Sequence, residues 1–136
     1  MKGVIFDTDE SERNGAFKEM FAESKISCWG LDDVKKYLDK GDYVFYYQKG
    51  TGIIGVGKVI SDAIDNGNEQ YCKVELLTPA LSDYSEMRSI TPAEMKKILG
   101  RNICFVSTVK KPLIQSVDKI KEFVNRSRAL YGLPPV

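Results

Sequence analysis

The sequence predicts an α+β fold in which helices flank a mixed, mostly antiparallel sheet of five or six strands, curled into a pseudo-barrel. Two observations carry this expectation. Asp42-Tyr-Val-Phe-Tyr-Tyr-Gln48 and Ile53-Ile-Gly-Val-Gly-Lys-Val-Ile60 are apolar, β-prone runs joined by Lys49-Gly-Thr-Gly52, a pattern that reads as a hairpin buried on both faces. The elements around it follow in the order β-α-β-α-β-β-β-(α)-β-α, and hairpin connections at the centre favour antiparallel pairing over a doubly wound parallel sheet. Gly55 and Gly57 lie inside the second hairpin strand, where the missing side chain lets a neighbour approach and helps the sheet curl.

Taken in order, Lys2-Gly-Val-Ile-Phe6 is a short strand that ends at a polar cluster, Asp7-Thr-Asp9. From Ser11 to Glu23, Ala16, Phe17, Met20 and Phe21 recur at helical spacing. Lys25-Ile-Ser-Cys-Trp29 reads as a strand broken by Gly30, and Leu31 to Lys40 as a helix with Val34, Tyr37 and Leu38 on its apolar stripe. After the hairpin, Asp65-Asn-Gly67 signals a turn, and Tyr71 to Thr78 a strand stopped by Pro79. Residues 80–90 are irregular. Thr91-Pro-Ala-Glu94 combines an N-cap, a proline at the first helical position and a capping-box glutamate, and Gly100 closes that helix. Ile103-Cys-Phe-Val106 is a strand, Ser107 to Pro112 turns the chain, and Ser116 opens a last helix through Ala129. The rest is a tail.

At 136 residues the chain reads as one domain, 1–136, with a core that needs no disulfide or metal. Its 20 basic and 19 acidic residues leave a charge of +1, so any nucleic-acid contact must come from a local patch. Histidine is absent, which removes the commonest general base and metal ligand and lowers the expectation of an enzyme. Cys28, Cys72 and Cys104 are far apart in sequence, as buried reduced thiols of a cytoplasmic protein would be. No stretch has the length of a membrane span, and no signal segment opens the chain.

Four segments, read together, resemble a known family. They are Val4-Ile-Phe-Asp-Thr8, Ile26-Ser-Cys-Trp-Gly30, Gly41-Asp-Tyr-Val-Phe-Tyr-Tyr47 and Gly52-Ile-Ile-Gly-Val-Gly-Lys-Val59. In that order they resemble the opening half of the PUA-like superfamily, specifically its EVE and YTH branches. Arg101-Asn-Ile-Cys-Phe-Val106 and the Ser107-Thr-Val-Lys110 loop are similar, more loosely, to the closing strand of the EVE branch. The resemblance implies a PUA-like pseudo-barrel that works as a non-enzymatic nucleic-acid reader. A modified, for example methylated, base of DNA or RNA is flipped into an aromatic pocket, without metal or cofactor. It also implies a partner effector, such as a separate nuclease. Asp7-Thr-Asp-Glu10 stands where EVE domains carry Lys-Ser-Glu-Pro, and Trp29 is the only tryptophan, so a second cage aromatic would come from Tyr46, Tyr47 or Tyr84.

On that resemblance the pocket comprises Trp29, with Ser27 and Cys28 offering backbone groups to the base edge, and Tyr46, Tyr47, Gln48, Asp7 and Thr8. Alternation along the strand allows at most one of the two tyrosines to face it. Gln48 brings both a donor and an acceptor. Lys49, Lys58, Arg88, Arg101, Lys110 and Lys111 are the candidate phosphate contacts. Each has a plainer alternative: a core tryptophan, sheet-packing tyrosines, a helix-capping Thr8, solvated lysines. Gly50-Thr-Gly52 is a hairpin turn and not a phosphate loop, since it lacks the strand-loop-helix setting and the Gly-Lys-Ser/Thr ending. Two other readings are a small ribonuclease related to the ASCH branch, using Lys58 and Glu75, and a protein-interaction module with no nucleic-acid site.

Overall fold

Strand β1 (Gly3–Asp7) opens the chain and helix α1 (Ala16–Ala22) follows. The computed structural model describes residues 1–8, 13–29, 33–100 and 113–136. Next come β2 (Lys25–Cys28), α2 (Asp33–Tyr37), β3 (Tyr43–Gln48), β4 (Gly52–Val59), β5 (Ile64–Asp65) and β6 (Gln70–Leu76). A 3-10 turn at Tyr84–Glu86 precedes α3 (Pro92–Leu99), β7 (Leu113–Ile114) and α4 (Val117–Leu130).

The strands form one mixed sheet in the order β2-β6-β4-β3-β1-β7, with β5 beside β6. Among the described residues only β1 and β3 run parallel, in register from Gly3 opposite Tyr43 to Asp7 opposite Tyr47, and the other pairs are antiparallel. The central hairpin β3–β4 is buried on both faces, as its unbroken apolar pattern implies. Val4, Phe6, Val44, Tyr46 and Ile54 face a first core closed by α1 and α2. Ile5, Phe45, Tyr47, Ile53 and Val56 face a second core closed by Met95 of α3 and Ile120, Phe123 and Val124 of α4. A bulge allows this: Tyr46 pairs with Gly55 and Tyr47 with Ile53, leaving Ile54 as the extra residue. At Gly55 the Phe21 ring comes within 3.1 Å of where a Cβ would stand, and the Thr78 hydroxyl within 2.9 Å. The close approach expected at that glycine is therefore made by the protein's own core.

Several boundaries differ from expectation. Helix α1 starts at Ala16 because Gly15 is left-handed, with φ +85°. Helix α2 ends at Tyr37, short of the expected Lys40. The Asp39 N–H is drawn to the buried Asp42 carboxylate at 2.8 Å, which also binds the Lys2 ammonium at 2.6 Å. Strands β5 and β7 were not foreseen, being two residues each. The turn at Asp65-Asn-Gly67 is present, with Asp65 accepting the Gly67 N–H at 2.9 Å, and it joins β5 to β6. Thr91 and Ser116 cap α3 and α4 as expected. Glu94, however, does not reach back to its own cap: its carboxylate takes the Arg126 guanidinium of α4 at 2.6 and 3.3 Å. The strand expected at 103–106 lies outside the described residues, as does Cys104. Cys28 and Cys72 are buried free thiols.

Candidate functional site

Strand β2 pairs with β6, from Lys25 opposite Lys73 to Cys28 opposite Gln70. Alternation sends Ile26 and Cys28 into the first core. The Cys28 thiol donates to the Gln70 carbonyl at 3.7 Å. Ser27 and Lys25 are also buried, on the other side of the strand. They converge on Glu69, which accepts from the Lys25 ammonium at 2.9 Å and, in a very short contact, from the Ser27 hydroxyl. Burial disfavours the Glu69 carboxylate, but the hydrogen bonds from Ser27 and Lys25 outweigh it and hold the group below the usual carboxylate range. Burial likewise works against the charged form of Lys25, and its bonds to Glu69 and Glu23 prevail, so its pKa is raised. Both side chains flanking the predicted Trp29 site are thus committed to internal partners.

Trp29 follows directly after β2. Its indole is half-buried and packs against the first core. The Arg13 guanidinium lies over the ring, its carbon 4.3 Å from the ring centroid. Arg13 also reaches the Glu19 carboxylate of α1 at 3.4 Å. The sequence reading missed Arg13. It lies near the start of the stretch that reads as a helix from Ser11, and nothing in the local pattern ties it to a tryptophan so much further along the chain.

A second group gathers at the parallel ends of β1 and β3. The Thr8 N–H donates to the Tyr47 carbonyl at 2.9 Å and its hydroxyl to Gln48 Oε1 at 2.8 Å. Lys49 reaches Asp7 at 3.8 Å. Thr8 is fully buried and Asp7 nearly so, while Lys49 is exposed. The structure therefore brings Asp7, Thr8, Gln48 and Lys49 together. Thr8 does not cap α1, which starts at Ala16 with Gly15 as its N-cap. Residues 9–12, which join this group to Arg13, lie outside the described residues.

The two tyrosines need correction. Tyr46 is a core residue: it has no exposed surface, its ring lies 4.6 Å from that of Phe21, and its hydroxyl donates to the Lys25 carbonyl at 2.7 Å. Burial pushes that phenol far above its ordinary pKa. A base cannot reach it. Tyr47 sits in the second core, its phenol held above the usual value by burial and by the Asp7 carboxylate. Tyr84 is half-exposed on the 3-10 turn, with its ring 5.0 Å from Phe17.

Among the predicted phosphate contacts, Lys58 and Arg88 are exposed. Lys58 stands directly opposite Glu75 across β4 and β6, and its ammonium is 5.9 Å from the Tyr43 ring. Arg88 is bound through its backbone to the Tyr131 hydroxyl. Arg101, Lys110 and Lys111 lie outside the described residues. A cavity of about 750 Å³ between α2 and β5 is lined by Lys35, Lys36, Asp39, Asp62 and Asp65, with no aromatic wall among its described lining residues. Among the described residues no group of three or more His, Cys, Asp or Glu is placed to hold a metal ion, and no helix is long and apolar enough to cross a membrane.

Comparison with solved structures shows a fold shared with YTH domains. The chain is similar to the MmI1 YTH domain, with a TM-score of 0.58 at 11% identity, covering 95% of this chain and 98% of that one. It is similar to the YTH domain of Zygosaccharomyces rouxii MRB1 protein, solved in complex with N6-methyladenosine RNA, with a TM-score of 0.57 at 12% identity over 98% and 89% of the two chains. It is also similar to protein PSPTO5229 from Pseudomonas syringae, with a TM-score of 0.55 at 10% identity over 92% and 99%. No protein-family model matches the sequence, and no curated protein matches it in sequence.

Proposed function

We propose that this domain is a non-enzymatic reader that takes one modified base, flipped from its strand, onto the indole of Trp29. The observation that carries the reading is the position of Trp29. It is half-buried at the end of β2, in a fold shared with YTH domains, one of which is solved with N6-methyladenosine RNA. A methylated base is flat, polarisable and more apolar than its parent, so an aromatic face favours it, and stacking contributes ~1–3 kcal/mol per base. With Tyr46 and Tyr47 both in the cores, the indole is the aromatic surface the reading depends on. The Ser27 and Cys28 backbones and the Asp7–Thr8–Gln48 group support polar readout. An effector protein such as a nuclease would act on the strand so marked.

Binding of short single- and double-stranded DNA and RNA oligonucleotides, each with and without modified bases, tests the proposal. One modified form should bind more tightly than its parent. Trp29→Ala should erase that preference, with the far-UV CD spectrum and melting transition retained. Equal binding of modified and unmodified strands, or an undiminished preference in the variant, rejects it. The ribonuclease alternative draws on the direct opposition of Lys58 and Glu75. Both side chains are exposed, as in any solvated cross-strand charge pair. A labelled-RNA cleavage assay, with divalent metal added and withheld, separates the two readings.

A further inference from the structure

One face of the Trp29 indole is already occupied. The Arg13 guanidinium is a flat cation at stacking distance, 4.3 Å from the ring centroid. A base stacked on that face fills the same space, so the two exclude each other. Arg13 is nevertheless weakly held. Its partner Glu19 is reached by one nitrogen at 3.4 Å, and the two side chains are 48% and 35% exposed. An exposed pair of this kind contributes little and is readily exchanged. The Arg13 carbonyl accepts the Ala16 N–H at 3.1 Å and so anchors the residue to the start of α1. The side chain can therefore swing while its root stays in place.

We propose that Arg13 is a place-holder exchanged for the ligand: the base displaces the guanidinium from Trp29, and the guanidinium moves to a phosphate flanking that base. This rests on the reader function proposed above and narrows its ligand class. A phosphodiester gives the planar guanidinium a two-pronged, charge-assisted partner better than the one it leaves. A free nucleoside offers no such partner and must displace Arg13 without return. The site therefore selects a modified base within a strand over the same base as a nucleoside.

The test compares a modified mononucleoside with a short oligonucleotide carrying the same base, bound to the wild type and to Arg13→Ala and Arg13→Lys. In Arg13→Ala the nucleoside should bind about two- to five-fold more tightly, the factor matching an exposed cation–π contact. The oligonucleotide should bind more weakly, its salt slope smaller by about 0.7, the value for one phosphate contact on a single strand. Arg13→Lys should keep the slope and show a smaller nucleoside gain, since an ammonium keeps the charge and part of the cation–π contact without the flat stack. Trp29 is the single tryptophan, so iodide quenching of its fluorescence should rise in Arg13→Ala without ligand. Equal shifts of both ligands in one direction, or no shift and unchanged quenching, overturn the exchange. If Trp29→Ala binds like the wild type, the reader function itself falls. If Trp29→Ala abolishes binding while Arg13→Ala leaves the nucleoside-to-oligonucleotide ratio untouched, only the exchange falls.

Discussion

Tyr46 and Tyr47 are chain neighbours that enter different cores. Alternation along a strand foretells that opposition and the unbroken apolar run foretells burial on both faces, but which helices close each face is decided far off in sequence and was not legible from the hairpin alone. The same limit applies to Trp29 in reverse. Nothing in Ile26-Ser-Cys-Trp29 distinguishes a core indole from a half-exposed one, and the difference comes from the strand ending one residue earlier, at Cys28. Tyr46→Phe removes the donor to the Lys25 carbonyl and leaves a buried acceptor unpaired. It should lower stability by about 1–3 kcal/mol in urea unfolding. Cys72 gives a second check at this scale. Burial pushes its thiol up to about 11, so Ellman's reagent at pH 8 should label native Cys72 far more slowly than the urea-unfolded chain, as measured by peptide mapping.

At the scale of elements, the Lys25–Glu69–Ser27 cluster clamps β2 to the start of β6. The folded-state pKa of Glu69 is depressed, so its contribution is present above the ordinary carboxylate range and is lost as pH falls through the lower folded value. That of Lys25 is raised, so its contribution is complete below the ordinary ammonium value and is lost as pH rises through the folded one. Stability should hold between roughly pH 5 and pH 10 and decline beyond both limits. Thermal melts across pH should show Glu69→Gln with a flatter acid limb than the wild type. In the hairpin, Gly55→Ala would press a methyl group against Phe21 and Thr78 and should cost about 1–3 kcal/mol. The helices with strong caps were readable, because Thr91, Ser116 and Gly100 act on their own neighbours. The start of α1 was not: it turns on the left-handed Gly15, a backbone choice with no hydrophobic signature. Strands β5 and β7, at two residues each, are shorter than any alternation can register, and β7 exists only because β1 offers it an edge.

Over the whole molecule, one sheet is the shared wall of two cores, and the parallel β1–β3 pair binds the start of the chain to its middle. Neither core can melt while that wall stands. Phe17→Ala in the first core and Phe123→Ala in the second should each cost about 3–5 kcal/mol. Both should unfold in one transition that coincides by Trp29 fluorescence and far-UV CD. The order of the longer helices and strands, and hence the fold class, was legible across the sequence because those elements announce themselves locally. The union of Trp29 with Arg13 was not, because it is made by folding alone. The hydroxyl of Tyr46 carries a further consequence. It moors the root of the Trp29 strand to the molecule's centre, although no ligand can touch it. How firmly the indole is presented and how firmly the protein is folded are thereby governed by one phenol, so neither quality can drift at that position without taking the other along.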